Sequence, residues 1–95
     1  METKIQLLHP IGKKAIKMDE RKYNKLKTSI LCCLRAKGKL SHSEILRTIT
    51  DEFINNNINF EGSIEWHLEW VKLDLEARKE IKRLDKESPI KYTLT

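Results

Sequence analysis

Cysteine, glycine, proline and aromatic residues are all scarce in this chain. The only cysteines are Cys32 and Cys33. Being adjacent, they form no ordinary disulfide, and they match no metal-binding spacing. In the stretch SILCCL they are expected to be buried free thiols of a helix. Three glycines and two prolines exclude a collagen-like or low-complexity chain. No apolar run approaches membrane-spanning length, and the N-terminus has no apolar stretch like a signal peptide. The expected location is therefore the cytoplasm, with no membrane contact. There is no glycine-rich phosphate loop, no nucleophile elbow and no metal-ligand cluster. His9, His42 and His67 fall in three different segments. An enzyme needs polar groups converging in a cleft, so neither catalysis nor a cofactor, metal or small-molecule substrate is expected.

What is present is charge. Of 95 residues, 35% are charged and 39% hydrophobic, enough for one small domain with a thin core. The net charge of +5 is uneven: residues 1–39 carry +8 and residues 40–95 carry −3. A basic segment of this kind suits an anionic partner such as DNA, or simply a solvated lysine surface.

The order of elements follows from local pattern. Residues 1–18 read as an extended N-terminal arm. Ile5 and Leu7 alternate with polar neighbours, His9-Pro10-Ile11-Gly12 has the residues of a turn, and KKAIKM returns as a second extended piece. Asp19 can cap a helix running to about Lys37, with Tyr23, Leu26, Ile30, Leu31 and Leu34 on its apolar face and Gly38 ending it. A short strand fits Lys39-Leu40. Ser41 and Glu44 form a capping box for a second helix that buries Ile45, Leu46, Ile49 and Phe53 and stops in Asn55-Asn56-Asn57. Ile58 and Phe60 pin the following loop to the core. Ser63 caps a third helix, expected over Ile64 to Lys79. Ile90, Tyr92 and Leu94 alternate with polar residues as in a half-buried strand, so the chain closes on a β-hairpin turning at Asp85 to Pro89.

The third helix carries two apolar stripes. At 100° per residue, Ile64, Leu68, Val71 and Leu75 fall on one face, and Trp66, Trp70, Leu73 and Ala77 on nearly the opposite one. Glu65, Glu69, Lys72 and Glu76 fill one flank, and His67, Asp74 and Arg78 the other. An ordinary surface helix needs one stripe. Two exposed indoles would make an unusual apolar patch, so the second stripe needs a cover. Three covers fit. The arm folds back with Ile5, Leu7 or Ile11; a homodimer forms through this helix at Trp66, Trp70 and Leu73; or the wing or another protein lies on it.

The order helix, helix, helix, hairpin is that of a winged helix-turn-helix. The closing stretch IEWHLEWVKLDLEARKEIKRLDKESPIKYTLT resembles the end of many bacterial winged-helix domains. In these a tryptophan-bearing third helix leads through a Leu-x-x-x-x-x-Ile segment to a wing and a Tyr-x-Leu-Thr close. The matching positions are Trp66 and Trp70, Leu75 to Ile81, and Tyr92-Thr93-Leu94-Thr95. The chain is most similar to the N-terminal modules of Mrr-type restriction systems and to small uncharacterised bacterial winged-helix proteins, over residues 19–95. The resemblance implies a mainly α winged-helix fold preceded by the extended arm, and a DNA-binding regulator or accessory factor. Two departures stand out. Lys79-Glu80 replaces the glycine usual after the third helix. That helix also presents Glu65 and Glu69 and has no Arg, Asn or Gln between residues 64 and 77, which argues against major-groove readout. DNA contact is therefore expected from Lys13, Lys14 and Lys17 of the arm and Lys82, Arg83, Lys86 and Lys91 of the wing. The alternative is a winged-helix protein-interaction module that does not bind DNA.

Overall fold

The computed structural model describes residues 3–95; the first two residues of the expected arm lie outside them. Roughly half of the chain is helical, in three helices accompanied by two small antiparallel sheets. The arm is ordered as a hairpin. Strand β1 (Lys4–Gln6) pairs with β2 (Lys17–Asp19), placing Lys4 opposite Asp19 and Gln6 opposite Lys17. The pairing extends past the strands, because the Leu7 N–H donates to Ile16 O at 3.0 Å. Alternation explains which face packs: Ile5 and Met18 are cross-strand partners, and Met18 and Leu7 are buried.

Asp19 then starts helix α1 (Glu20–Lys37), its carboxylate accepting the Lys22 N–H at 3.2 Å. Tyr23, Leu26, Ile30 and Leu34 are buried on one face, as their spacing requires. Gly38 ends the helix at φ +87°, a left-handed conformation that costs glycine little. Strand β3 (Lys39–Ser41) leads directly into helix α2 (His42–Asn55). The capping box is complete: Ser41 Oγ accepts from the Glu44 N–H, and Glu44 Oε1 accepts from the Ser41 N–H at 2.9 Å. These bonds hold the Glu44 carboxyl below the usual carboxylate range. The asparagine run does end α2; Asn56 caps it, and Asn57 turns the chain at φ +54°.

Helix α3 (Ile64–Ala77) starts at Ser63, whose hydroxyl accepts the Trp66 N–H at 3.1 Å. It ends two residues before the expected Lys79. Lys79 itself takes the left-handed conformation, φ +65°, so a lysine stands where a glycine usually turns the chain. Strands β4 (Ile81–Leu84) and β5 (Lys91–Leu94) follow. The second sheet has the order β3-β5-β4, with β5 in the centre. Ile81 and Tyr92 point into the core, whereas Ile90, expected inward, lies outside the strand and is exposed.

The buried side of α3 is wider than its apolar stripe. Leu68, Val71 and Leu75 are buried as expected, but so are Lys72 (1% exposed) and Asp74 (0%), which the helical wheel placed on polar flanks. Asp74 is buried because three elements converge on it. The Tyr23 hydroxyl of α1 donates to its Oδ2. The Leu8 backbone N–H of the arm donates to Oδ1 at 2.8 Å. Arg78 Nε, one turn further along α3, reaches both carboxylate oxygens at 3.0 and 2.9 Å. Arg78 Nη2 also reaches the arm at Gln6 O, 3.4 Å. Burial and the bond to Asp74 push the Tyr23 phenol well above its ordinary value. The arm thus docks on α3 along its Asp74 flank. Leu7 is buried there, but Ile11 is 71% exposed and covers no tryptophan.

Replacing Asp74 removes the acceptor from all three donors at once. Asp74→Ala is expected to destabilise the fold by about 3–5 kcal/mol, the usual cost of leaving buried partners unpaired. Urea unfolding would measure it. Amide exchange at Leu8 should accelerate by more than the global loss explains; unchanged protection there would show that the arm is held by something else.

Candidate nucleic-acid interface

The lysines singled out in the arm and the wing sit on two different sheets. In the arm, Gly12 turns the chain at φ +78°, with its N–H donating to His9 O at 3.0 Å. Lys13 and Lys14 follow, exposed, on the return toward β2. Lys17 lies opposite Gln6, so it shares a face with Gln6 and Lys4, away from buried Met18. Gln6, Lys14, Ala15, Ile16 and Lys17 line an open groove on this hairpin. Gln6 Nε2 donates across it to Ala15 O at 3.0 Å. Lys4 was missed by sequence reasoning, although the alternation around Ile5 places it on the same face as Lys17.

In the β4-β5 hairpin, expected to be the wing, the four basic residues divide by face. Arg83 lies opposite Tyr92, on the core side, with its guanidinium carbon 5.6 Å from that ring and its Nε 3.1 Å from Glu76 Oε1. Its charge is committed to α3. Lys82 and Lys91 belong to the other face, Lys82 opposite Thr93 and Lys91 opposite Leu84. Lys39 joins them there, also opposite Thr93 through β3, and its Nζ holds Glu87 of the wing turn at 2.9 Å. Lys86 lies exposed at the turn, and Lys91 is half-buried. Lys39 was not singled out by sequence because only the β3-β5 pairing brings it to the wing. Among the described residues, no ion pair engages Lys13, Lys14, Lys17, Lys82 or Lys86.

Helix α3 is acidic where it meets solvent. Glu65 and Glu69 are exposed and flank His42 of α2, with Glu65 3.8 Å from Nε2 and Glu69 3.6 Å from Nδ1. His67 does not pair with Asp74; its Nδ1 lies 2.7 Å from Ser63 O, and a carbonyl only accepts, so Nδ1 carries the proton. Trp66 is 51% exposed and Trp70 and Leu73 are half-buried, so the second stripe is not sandwiched within the protomer. An aromatic chain joins it to the core: Trp70 to Trp66 at 6.5 Å, Trp66 to His67 at 4.9 Å, His67 to Phe60 at 5.1 Å, and Phe60 to Phe53 at 5.8 Å between ring centroids. The cysteines also divide. Cys33 is buried, its thiol pushed up to about 11 by burial, whereas Cys32, expected buried, is exposed.

Lys72 is the one cation of α3, and it faces inward. Its Nζ sits 4.1 Å from the Tyr92 ring centroid and 3.8 Å from Glu69. Burial pushes the ammonium below its ordinary value, and Glu69 and Glu76 offset part of that shift. Buried inside the protomer, it is out of reach of a phosphate. Among the described residues no group of acids, histidines and cysteines is arranged to hold a metal ion, and no helix is long and apolar enough to cross a membrane.

The depressed Lys72 makes a sign-specific prediction. As pH rises, the folded state loses this proton before the unfolded chain does at the ordinary lysine value of 10.5. The unfolded state then binds more protons, so the lysine's contribution to stability grows with pH up to that value. Lys72→Met should be neutral to stabilising by about 1–2 kcal/mol at pH 7. Its advantage over the wild type should shrink toward pH 10.5 in urea midpoints; a pH-independent difference would mean the ammonium is not strained.

Searches of curated proteins and of solved structures returned no match. One family model covers residues 4–92, from the first residue of β1 to the core tyrosine of β5. It takes in the arm hairpin together with the three helices and most of the β4-β5 hairpin, so the arm is part of what the family shares. The chain belongs to the family of unknown function DUF6958.

Proposed function

We propose that this chain is a winged-helix domain that binds duplex DNA through phosphate contacts from the arm hairpin and the wing, without base readout by α3. The order α1-β3-α2-α3-β4-β5 and the sheet order β3-β5-β4 support the winged-helix reading. The observation that carries the DNA reading is the set of exposed lysines without ion-pair partners on the two hairpins: Lys13, Lys14 and Lys17 on one, Lys82 and Lys86 on the other. Lysine is a compact point charge on a flexible stem, suited to phosphate and poor at bidentate base recognition. Two features argue against α3 as the reader. Its solvent side carries Glu65 and Glu69, which phosphates repel, and its only lysine is buried against Tyr92. A dimeric regulator or an accessory factor would use such contacts for position, with specificity supplied elsewhere.

Fluorescence anisotropy with random duplex DNA tests the proposal. Affinity should fall steeply with salt, log K against log salt having a slope of about −4.5 for five phosphate contacts. Alanine at Lys82 and Lys86 should flatten the slope by about 2, and alanine at Lys13, Lys14 and Lys17 by about 3. Absence of binding at low salt sinks the DNA reading outright. An unchanged slope in either variant removes that hairpin from the contact surface.

A further inference from the structure

We infer, as an extension that rests on the DNA reading above, that the solvent face of α1 is a third phosphate-contacting surface. On it Arg21, Lys25 and Arg35 hold the backbone of a duplex that runs between the arm and the β4-β5 hairpin.

Helix α1 joins the two hairpins. At its start the Glu20 N–H donates to Thr3 O of the arm at 2.8 Å, and Lys17 stands just before it on β2. At its end Gly38 O accepts the Thr93 hydroxyl at 2.8 Å, and Thr93 lies between Lys39 and Lys82 in the second sheet. The 18 residues of α1 span about 27 Å. A duplex that touches both hairpins therefore crosses the helical surface between them. Of the three helices, one offers a face that phosphate accepts. Helix α3 exposes Glu65 and Glu69 and no cation. Helix α2 exposes Glu44 and Asp51 against Arg47 alone. Helix α1 exposes Arg21, Lys25, Arg35 and Lys37 and no acid.

The cations of α1 are placed for a partner outside the protomer. Tyr23, Leu26, Ile30 and Leu34 turn to the core. At 100° per residue, Arg21, Lys25 and Arg35 fall within an arc of about 80° on the opposite side, over a length of about 21 Å. Thr28 and Cys32, both exposed, fill the arc between them. Among the described residues none of the three cations has an ion-pair partner, whereas Lys27 on the flank is held by Glu80 at 3.3 Å. Helix stability does not account for Arg21. It stands in the first turn, where the positive end of the helix dipole disfavours a cation.

The chemistry of the stripe fits a phosphodiester backbone. The guanidinium forks of Arg21 and Arg35 each match two oxygens of one phosphate, and Lys25 adds a point charge. A bilayer surface would call for large apolar side chains beside the cations, and the arc has none.

Fluorescence anisotropy on the whole chain, with a random duplex of about 20 base pairs, longer than α1, tests the inference. Three contacts added to the five of the hairpins should steepen the wild-type salt slope from about −4.5 to about −7. Alanine at Arg21, Lys25 and Arg35 together should flatten it by about 2.7. Lysine at Arg21 and Arg35 should leave it within about 0.5 of wild type, because each charge still releases a counterion. Arg47→Ala removes an exposed cation of α2 and should leave the slope unchanged, which separates contact from net charge. Exposed helix positions tolerate alanine, so circular dichroism should show every variant folded. A wild type that binds with a slope near −4.5, or a triple-alanine variant with the wild-type slope, overturns the inference and leaves the hairpin contacts standing. Arg47→Ala flattening the slope as much as Arg35→Ala does the same. No binding at low salt overturns the inference together with the DNA reading.

Discussion

A single buried carboxylate sets where everything else can sit. Asp74 is fully removed from water, and it is held there by donors from α1, the arm and its own helix. An isolated ion in that position would be prohibitive, and even a paired one stabilises little against a well-packed apolar replacement. What it supplies is geometry. Tyr23 can reach it only if α1 crosses α3 at this point, and the Leu8 amide only if the arm turns back over α3. The helix-to-helix packing and the docking of the first hairpin are therefore specified by one acceptor.

Lys72 bounds the buried arc on the other side. Asp74 and Lys72 lie about 80° to either side of the Ile64-Leu68-Val71-Leu75 stripe. Between them α3 buries nearly half of its circumference. One polar edge meets α1 and the arm, and the other meets β5 through the Tyr92 ring. Each edge residue brings its own neutraliser one turn or less away: Arg78 for Asp74, Glu69 for Lys72. With both edges taken up by the protomer, the remaining face, the one with the indoles, is left to solvent.

Local pattern carried most of the fold. The Asp19 cap, the Ser41/Glu44 box, the Ser63 cap and the alternation in β5 each bond within a few residues, and these were legible. What failed depends on partners distant in sequence. A wheel drawn for one helix puts Lys72 and Asp74 on polar flanks, because nothing local shows that Tyr92 and Tyr23 await them. Lys79 breaks the glycine rule because Thr95 caps that turn, its hydroxyl donating to Lys79 O at 2.6 Å. Of the candidate site, the exposed lysines of the arm and the wing turn were legible from charge alone. Arg83 was not, since its salt bridge to Glu76 exists only once β4 packs on α3. Lys39 was not, since its face is set by pairing with a strand about fifty residues later.

The distribution of charge along α3 limits where a phosphate can be held. The helix spans about 21 Å, whereas a charge at its surface is screened over about 8 Å at physiological salt. Glu69 is nonetheless felt at the β4-β5 hairpin, because Lys72 Nζ lies 3.8 Å from it and 4.1 Å from the Tyr92 ring, whereas Lys82 and Lys86 stand on the hairpin's other face and at its turn. The wing can attract a phosphate although its neighbouring helix is acidic.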